Sequence, residues 1–187
     1  MTLMTPFETR SSPVKRIAVI QGEVRTSADP DVELTTVLGS CVATCLYDPV
    51  ARIGGMNHFL LAEPPEHQRS SGDFDEHYGL YLMELLINRM IGCGAVKGRM
   101  KARLFGGANF YHTIQQIGAI NAEFARRFLQ QEGIGLVNAD LGGTCARRVH
   151  FRPASGQVRC KNTEAKAIAA PQPTRRPPTA LGEVELF

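Results

Sequence analysis

Apolar residues recur along this chain at two spacings, and each spacing predicts a different element. Residues 16–22 form a short apolar, β-branched run that reads as a strand, and residues 42–47 and 53–61 read as two more. Residues 100–105 alternate, with Lys101 and Arg103 set between apolar neighbours, the pattern of a half-buried strand. Residues 136–139, 147–151 and 157–161 continue the strand-rich second half, and Pro153-Ala154-Ser155-Gly156 reads as a hairpin turn. Helical spacing appears twice. Over residues 76–91, Leu82, Met83, Leu86, Ile87, Met90 and Ile91 share one face. Asp73 and Asp75 suit the start of that helix, and Gly92 and Gly94 its end. Over residues 117–132, Ile117, Ile120, Phe124 and Phe128 share a face that Gly133 closes. Methionines and aromatics at these positions are more simply core than cofactor contacts.

With 187 residues the chain is long enough for one real core and short for two. Residues 1–14 read as a flexible lead-in without the apolar centre of a secretory signal, and residues 15–161 as the folded body. From residue 162 the character changes: Pro171, Pro173, Pro177 and Pro178 among Ala, Thr and Arg make a linker composition. The chain ends Gly182-Glu183-Val184-Glu185-Leu186-Phe187, an acidic and apolar peptide that reads equally as a docking motif or an untethered tail.

Charge and cysteine content remove several classes of function. The net charge is +3, the basic residues are spread out, and aromatic-interleaved basic patches are missing, which disfavours nucleic-acid binding. No segment has the ~20 consecutive apolar residues of a membrane span. Together with the lead-in, this predicts a cytoplasmic protein. The five cysteines are odd in number and contain no Cys-x-x-Cys, which argues against a disulfide framework or a zinc site. Free thiols of this kind are expected to be mostly buried packing residues.

The stretch with candidate chemistry runs from Thr35 to His58. Gly39 and Ser40 precede Cys41, and the small glycine would let a substrate approach the thiol and its backbone closely. His58 lies seventeen residues later on the next expected strand, so antiparallel pairing would bring the two side chains together. A thiol is largely protonated at neutral pH and becomes a useful nucleophile when a histidine takes its proton. Buried Cys and His are common, however, so this pair alone is only suggestive.

Ordered strings add specificity. Leu38-Gly39-Ser40-Cys41-Val42, Gly54-Gly55-Met56-Asn57-His58 and Leu104-Phe105-Gly106-Gly107-Ala108 occur in sequence order. Ile117-Gly118 with Asn121, Glu132-Gly133-Ile134, and Asp140-Leu141-Gly142-Gly143 followed by Arg147 continue the series. Over about residues 16–161 the chain resembles the CheD family of chemoreceptor glutamine deamidases. The resemblance implies an α/β fold, a layered sandwich of two mixed β-sheets packed together with helices on the outside. It implies a catalytic Cys41, His58 and Thr35, with Thr36 adjacent to the third, and no cofactor or metal. It implies a thioester route from glutamine to glutamate on the cytoplasmic domains of methyl-accepting chemotaxis receptors, served by an open, shallow site, and an accompanying hydrolysis of glutamyl methyl esters.

Two other classes stand beside this one. The chain could be a regulatory binding module for a CheC-type chemotaxis phosphatase, or a general cysteine hydrolase such as a peptidase or thioesterase. Cys45 shares strand parity with Cys41 but is more simply core. His112 and His150 stand isolated, and His67 and His77 fall in or beside the polar stretch 66–77, which reads as a loop bordering the site. Gly106-Gly107 and Gly142-Gly143 match no phosphate-binding loop and read as turns or close backbone contacts.

Overall fold

A computed structural model of the chain describes residues 13–61, 76–109 and 116–163. Most of the expected lead-in, nearly all of the linker and tail, His67, His112 and the side chain of His77 lie outside the described residues. The elements in order are β1 (Lys15–Ala18), β2 (Val24–Ser27), β3 (Val32–Leu38), β4 (Val42–Asp48), β5 (Ile53–Asn57), α1 (Glu76–Gly92), β6 (Lys101–Gly106), α2 (Ile117–Gln131), β7 (Gly135–Leu141), β8 (Ala146–Arg152) and β9 (Gln157–Thr163). A short 3-10 turn, Lys97–Arg99, leads into β6.

The strands form two mixed sheets. The first has the order β1-β3-β8-β9 and the second β2-β5-β4-β6-β7. In each, one pair is parallel, β1 with β3 and β6 with β7, and the rest are antiparallel. The two-residue period of β4 shows how the layers are made. Val42 and Leu46 point into a core with Leu82, Met83, Leu86 and Phe128 of the helices, while Ala43 and Cys45 point into a second core between the sheets. The order of layers is therefore first sheet, second sheet, helices. Each fully buried Leu, Met or Phe contributes roughly 1.5–3 kcal/mol through removal from water. Leu82, Met83, Leu86, Ile87 and Met90 are buried as the helical spacing of α1 predicts, whereas Ile91, in the last turn, is exposed.

Three buried charges fasten this architecture. Asp48 is fully buried at the end of β4 and accepts hydrogen bonds from the N–H groups of Val50, Ala51 and Val96 and from the Arg99 guanidinium. The arginine holds its carboxyl well below the usual carboxylate range. Glu33 ties all four strands of the first sheet. Its carboxylate accepts from Arg16 of β1 (2.9 Å), His150 of β8 (3.2 Å) and Arg159 of β9 (2.7 Å), with Arg152 at 4.0 Å. Burial pushes the Glu33 carboxyl up, but these bonds outweigh it and bring it down to about 2. Arg147 of β8 crosses between sheets, bonding Asp140 of β7 (2.9 Å) and the Gly106 carbonyl of β6 (3.5 Å).

Candidate functional site

The segment 38–42 carries the chain from the first sheet to the second, and its carbonyls are all held from inside. The N–H of Ala108 donates to the Gly39 carbonyl (2.9 Å), Asn121 Nδ2 to that of Ser40 (2.9 Å), and the N–H of Gly107 to that of Cys41 (2.8 Å). Gly106 is at φ 109°, and a Cβ there would strike the Cys41 carbonyl. Gly118, at the start of α2, is packed equally closely against the carbonyls of Gly107 and Ala108. Gly142 and Gly143 also adopt positive φ, 80° and 71°. The glycine pairs thus serve as turns and close contacts, as their sequence suggests. With its carbonyls fixed inward, the segment presents the backbone N–H of Cys41 beside its own sulfur. Among the described residues, no hydrogen bond engages the N–H of Ser40.

His58 follows the last residue of β5. An isolated pairing of Val42 with Phe59 prolongs the β4–β5 ladder, with both N–H···O bonds at 2.9 Å. That register sets His58 opposite Ala43 and makes Cys41 its diagonal neighbour across the strands. Diagonal positions have Cβ atoms roughly 7–8 Å apart, within reach of a long or aromatic side chain. The backbone of His58 is clamped by the β1–β2 turn: Gly22 N–H donates to its carbonyl (2.8 Å) and its own N–H to the Glu23 carbonyl (3.1 Å).

The imidazole is oriented from the first sheet. The Thr36 hydroxyl donates to the Val19 carbonyl (2.7 Å), so its only proton is committed there. His58 Nδ1 lies 2.9 Å from Thr36 Oγ1 and 3.3 Å from the Val19 carbonyl. Both partners can only accept from the ring, which assigns the proton to Nδ1 by the hydrogen-bond network. Nε2 then carries a lone pair, and it is buried without a hydrogen-bond partner among the described residues. Burial pushes the His58 pKa below its ordinary value, against the Val19 carbonyl bond, which favours the charged ring. The Cys41 thiol is pushed up to about 11 by burial, opposed by its own backbone N–H. The resting pair is a neutral thiol and a neutral imidazole, and the thiol donates to Gln21 Oε1 at 3.6 Å instead of to His58.

Of the expected residues, the structure brings Cys41 and His58 to one face of adjacent strands and places Thr36 on the imidazole. Thr35 is not brought to the imidazole. On β3, successive side chains point to opposite faces, and it is Leu34, Thr36 and Leu38 that face the second sheet. Thr35 lies on the other face with Glu33, opposite His150, and its carbonyl accepts the Val19 N–H (2.8 Å). Gln21 was not singled out from sequence, since a polar residue in a turn carries no signal of its own. Asn121 belonged to a family string, and its part is now visible: it joins the Ser40 carbonyl to the N–H of Leu61 (2.9 Å) while fully buried.

Elsewhere, Cys45 is fully buried and held high by burial, as a packing residue should be. Cys93 and Cys145 are exposed, contrary to the expectation that the thiols pack inside. A cavity of about 500 Å³ lies away from Cys41 and His58, lined by Glu33, Arg103, His150, Arg152 and Arg159 among others. Among the described residues no helix is long and apolar enough to cross a membrane.

These features define a layered α/β protein with a thiol and an oriented histidine at the junction of two sheets. The chain belongs to the CheD family: the family described as CheD chemotactic sensory transduction matches residues 60–162. That match begins after His58, but full-length relatives span the site. A Zymomonas mobilis protein is 56% identical over 80% of this chain and 81% of its own length. One from Caulobacter sp. (strain K31) is 47% identical over 95% of both chains. Both are named probable chemoreceptor glutamine deamidase CheD. Among solved structures, a Neisseria meningitidis protein of the DUF152 family overlaps with a TM-score of 0.42 at 14% identity, over 65% of this chain and 54% of that one.

Proposed function

We propose that this protein is a protein-glutamine deamidase that converts glutamine side chains of chemoreceptor cytoplasmic domains to glutamate, with Cys41 as nucleophile and His58 as base. Membership of the CheD family supports the substrate class. The observation that carries the chemistry is the orientation of His58. Nδ1–H is spent on Thr36 and Val19, and among the described residues no hydrogen bond engages Nε2, which leaves its lone pair unused. A histidine in this tautomer is fitted to accept a proton and not to donate one.

The sequence of steps follows. On substrate binding the Cys41 proton passes to Nε2, and Sγ attacks the carboxamide carbon. The N–H groups of Cys41 and Ser40 receive the developing oxyanion. The imidazolium, held by Thr36 through Nδ1, returns the proton to the leaving nitrogen, and ammonia departs from a thioester. Water, deprotonated by Nε2, opens the thioester to glutamate and restores the thiol. Thr36 takes the orienting role that the family pattern suggested for Thr35. A glutamyl methyl ester would enter the same thioester with methanol as leaving group. The setting of this reaction is the cytoplasm, where the receptor domains lie.

Incubation with a receptor cytoplasmic domain is expected to shift particular glutamines by about one mass unit, the exchange of NH for O at the thioester stage. Cys41→Ala should abolish the shift, and its persistence in that variant would sink the assignment of the nucleophile.

A further inference from the structure

The proton of the Cys41 thiol is directed at a carboxamide that belongs to the protein itself. Gln21 Oε1 lies 3.6 Å from Cys41 Sγ. Gln21 sits in the β1–β2 turn, which Glu23 N–H closes onto the Ile20 carbonyl (3.0 Å). The residues on either side of it have structural duties. Ile20 N–H bonds the Glu23 side chain, and Gly22 N–H holds the His58 carbonyl. The side chain of Gln21, exposed at the surface, makes among the described residues no other hydrogen bond than this one.

We infer that Gln21 is a resident occupant of the subsite that receives the substrate carboxamide, and that it must swing aside before a substrate glutamine can enter. The inference rests on the deamidase reading and deepens it, because it specifies what the subsite fits: a primary carboxamide at the end of a flexible two-methylene arm. Gln and Asn alone among side chains present that group. The turn that clamps His58 also fixes the root of the Gln21 side chain, so the contact has a defined origin and a short reach. The contact is also easily undone. A thiol is a weak donor, and a free glutamine side chain regains rotamer entropy on leaving.

The resting geometry is set against hydrolysis of Gln21 itself. The thiol proton points at its oxygen, while attack requires that proton to have passed to His58 Nε2 and the sulfur to face the carboxamide carbon. An occupant that binds through the wrong atom competes with substrate without being turned over.

The test uses alkylation of Cys41 by iodoacetamide, followed by peptide mass mapping of the full-length protein. Exposed Cys93 and Cys145 serve as internal standards in the same sample. Gln21→Ala removes the occupant, and Gln21→Met keeps its length without the carboxamide. Both are expected to raise the alkylation rate of Cys41 by a factor of about two to ten, the worth of one weak hydrogen bond, relative to Cys93 and Cys145. In the receptor assay the same variants should lower KM by more than they change kcat. Wild-type alkylation rates in both variants would overturn the inference. So would faster alkylation with KM unchanged or raised, because Gln21 would then cover the thiol without occupying the substrate's place. Alkylation needs no receptor, so it reports on Gln21 even if the receptor assay with Cys41→Ala removes the deamidase reading.

Discussion

Thr36 Oγ1 lies 2.9 Å from His58 Nδ1, and the hydroxyl donates its own hydrogen bond to the Val19 carbonyl at 2.7 Å. The threonine, with the Val19 carbonyl, therefore decides which ring nitrogen of the candidate base is free. Thr36→Val keeps the volume and removes the acceptor. It is expected to lower kcat/KM by about ten- to a hundredfold, the loss of one orienting hydrogen bond in the transition state. Thr35→Val, on the opposite face of the strand, should change it by less than about twofold. Steady-state deamidation by the two variants, with thermal unfolding as a check on folding, separates them. A larger loss in the Thr35 variant would reverse the assignment.

The neutral resting pair has a pH signature. Burial holds the Cys41 thiol up at about 11 and pushes His58 below its ordinary value, so at neutral pH the sulfur keeps its proton and the ring has none. Alkylation of Cys41 in the free protein should climb continuously from pH 7 to beyond 9. A thiolate–imidazolium pair would instead give a plateau in the acidic to neutral range. A flat profile between pH 6 and 8 by mass-resolved kinetics would contradict the neutral pair.

Glu33 predicts the acid limb of stability. Its folded pKa of about 2 lies below the ordinary 4.5, so its stabilising contribution is complete above 4.5 and disappears as pH falls from there through about 2. Glu33→Gln should cost on the order of 1–3 kcal/mol at neutral pH and flatten the dependence of unfolding free energy on pH in that window. Denaturant titrations at a series of pH values measure both. An unchanged slope in the variant would remove Glu33 as the origin.

Asn121 links the segment that carries Cys41 to the strand extension beyond His58. Asn121→Ala leaves the Ser40 carbonyl and the Leu61 N–H without their partner, at a cost of about 1–3 kcal/mol. Activity should fall further than stability alone explains, because Ser40 adjoins Cys41 and Leu61 lies three residues past His58. Comparing kcat/KM with the unfolding midpoint of the same variant tests this; loss of stability with full activity would show that the link is structural only.

Much of the fold was readable where burial and period agree. β4, β6, β8, β9 and both helices follow from runs whose apolar positions face a core. β3 does not, and the reason is local: at its inner positions Thr36 interrupts Leu34 and Leu38, while the outer position 37 holds Val. The residue that orients His58 erases the alternation that would have marked its strand. β2, Val-Arg-Thr-Ser, has a single buried apolar residue, and its existence depends on pairing with β5. At the site, Cys41 and His58 were legible through ordered strings. The choice between Thr35 and Thr36 was not, because it depends on which face of a strand meets the other sheet. Glu33 with its arginines and histidine was equally hidden, since its partners lie up to 126 positions away.

The candidate site draws on both sheets: Val19 and Thr36 come from the first, Cys41 and His58 from the second. Neither sheet alone can set the imidazole. In a refolding experiment, backbone circular dichroism would report strands and helices as each sheet forms. Deamidase activity would return only when the sheets have docked and Arg147 has found Asp140 and Gly106. Recovered activity is therefore a clock for docking, and any delay behind the circular dichroism signal would measure the time the two sheets spend formed but apart.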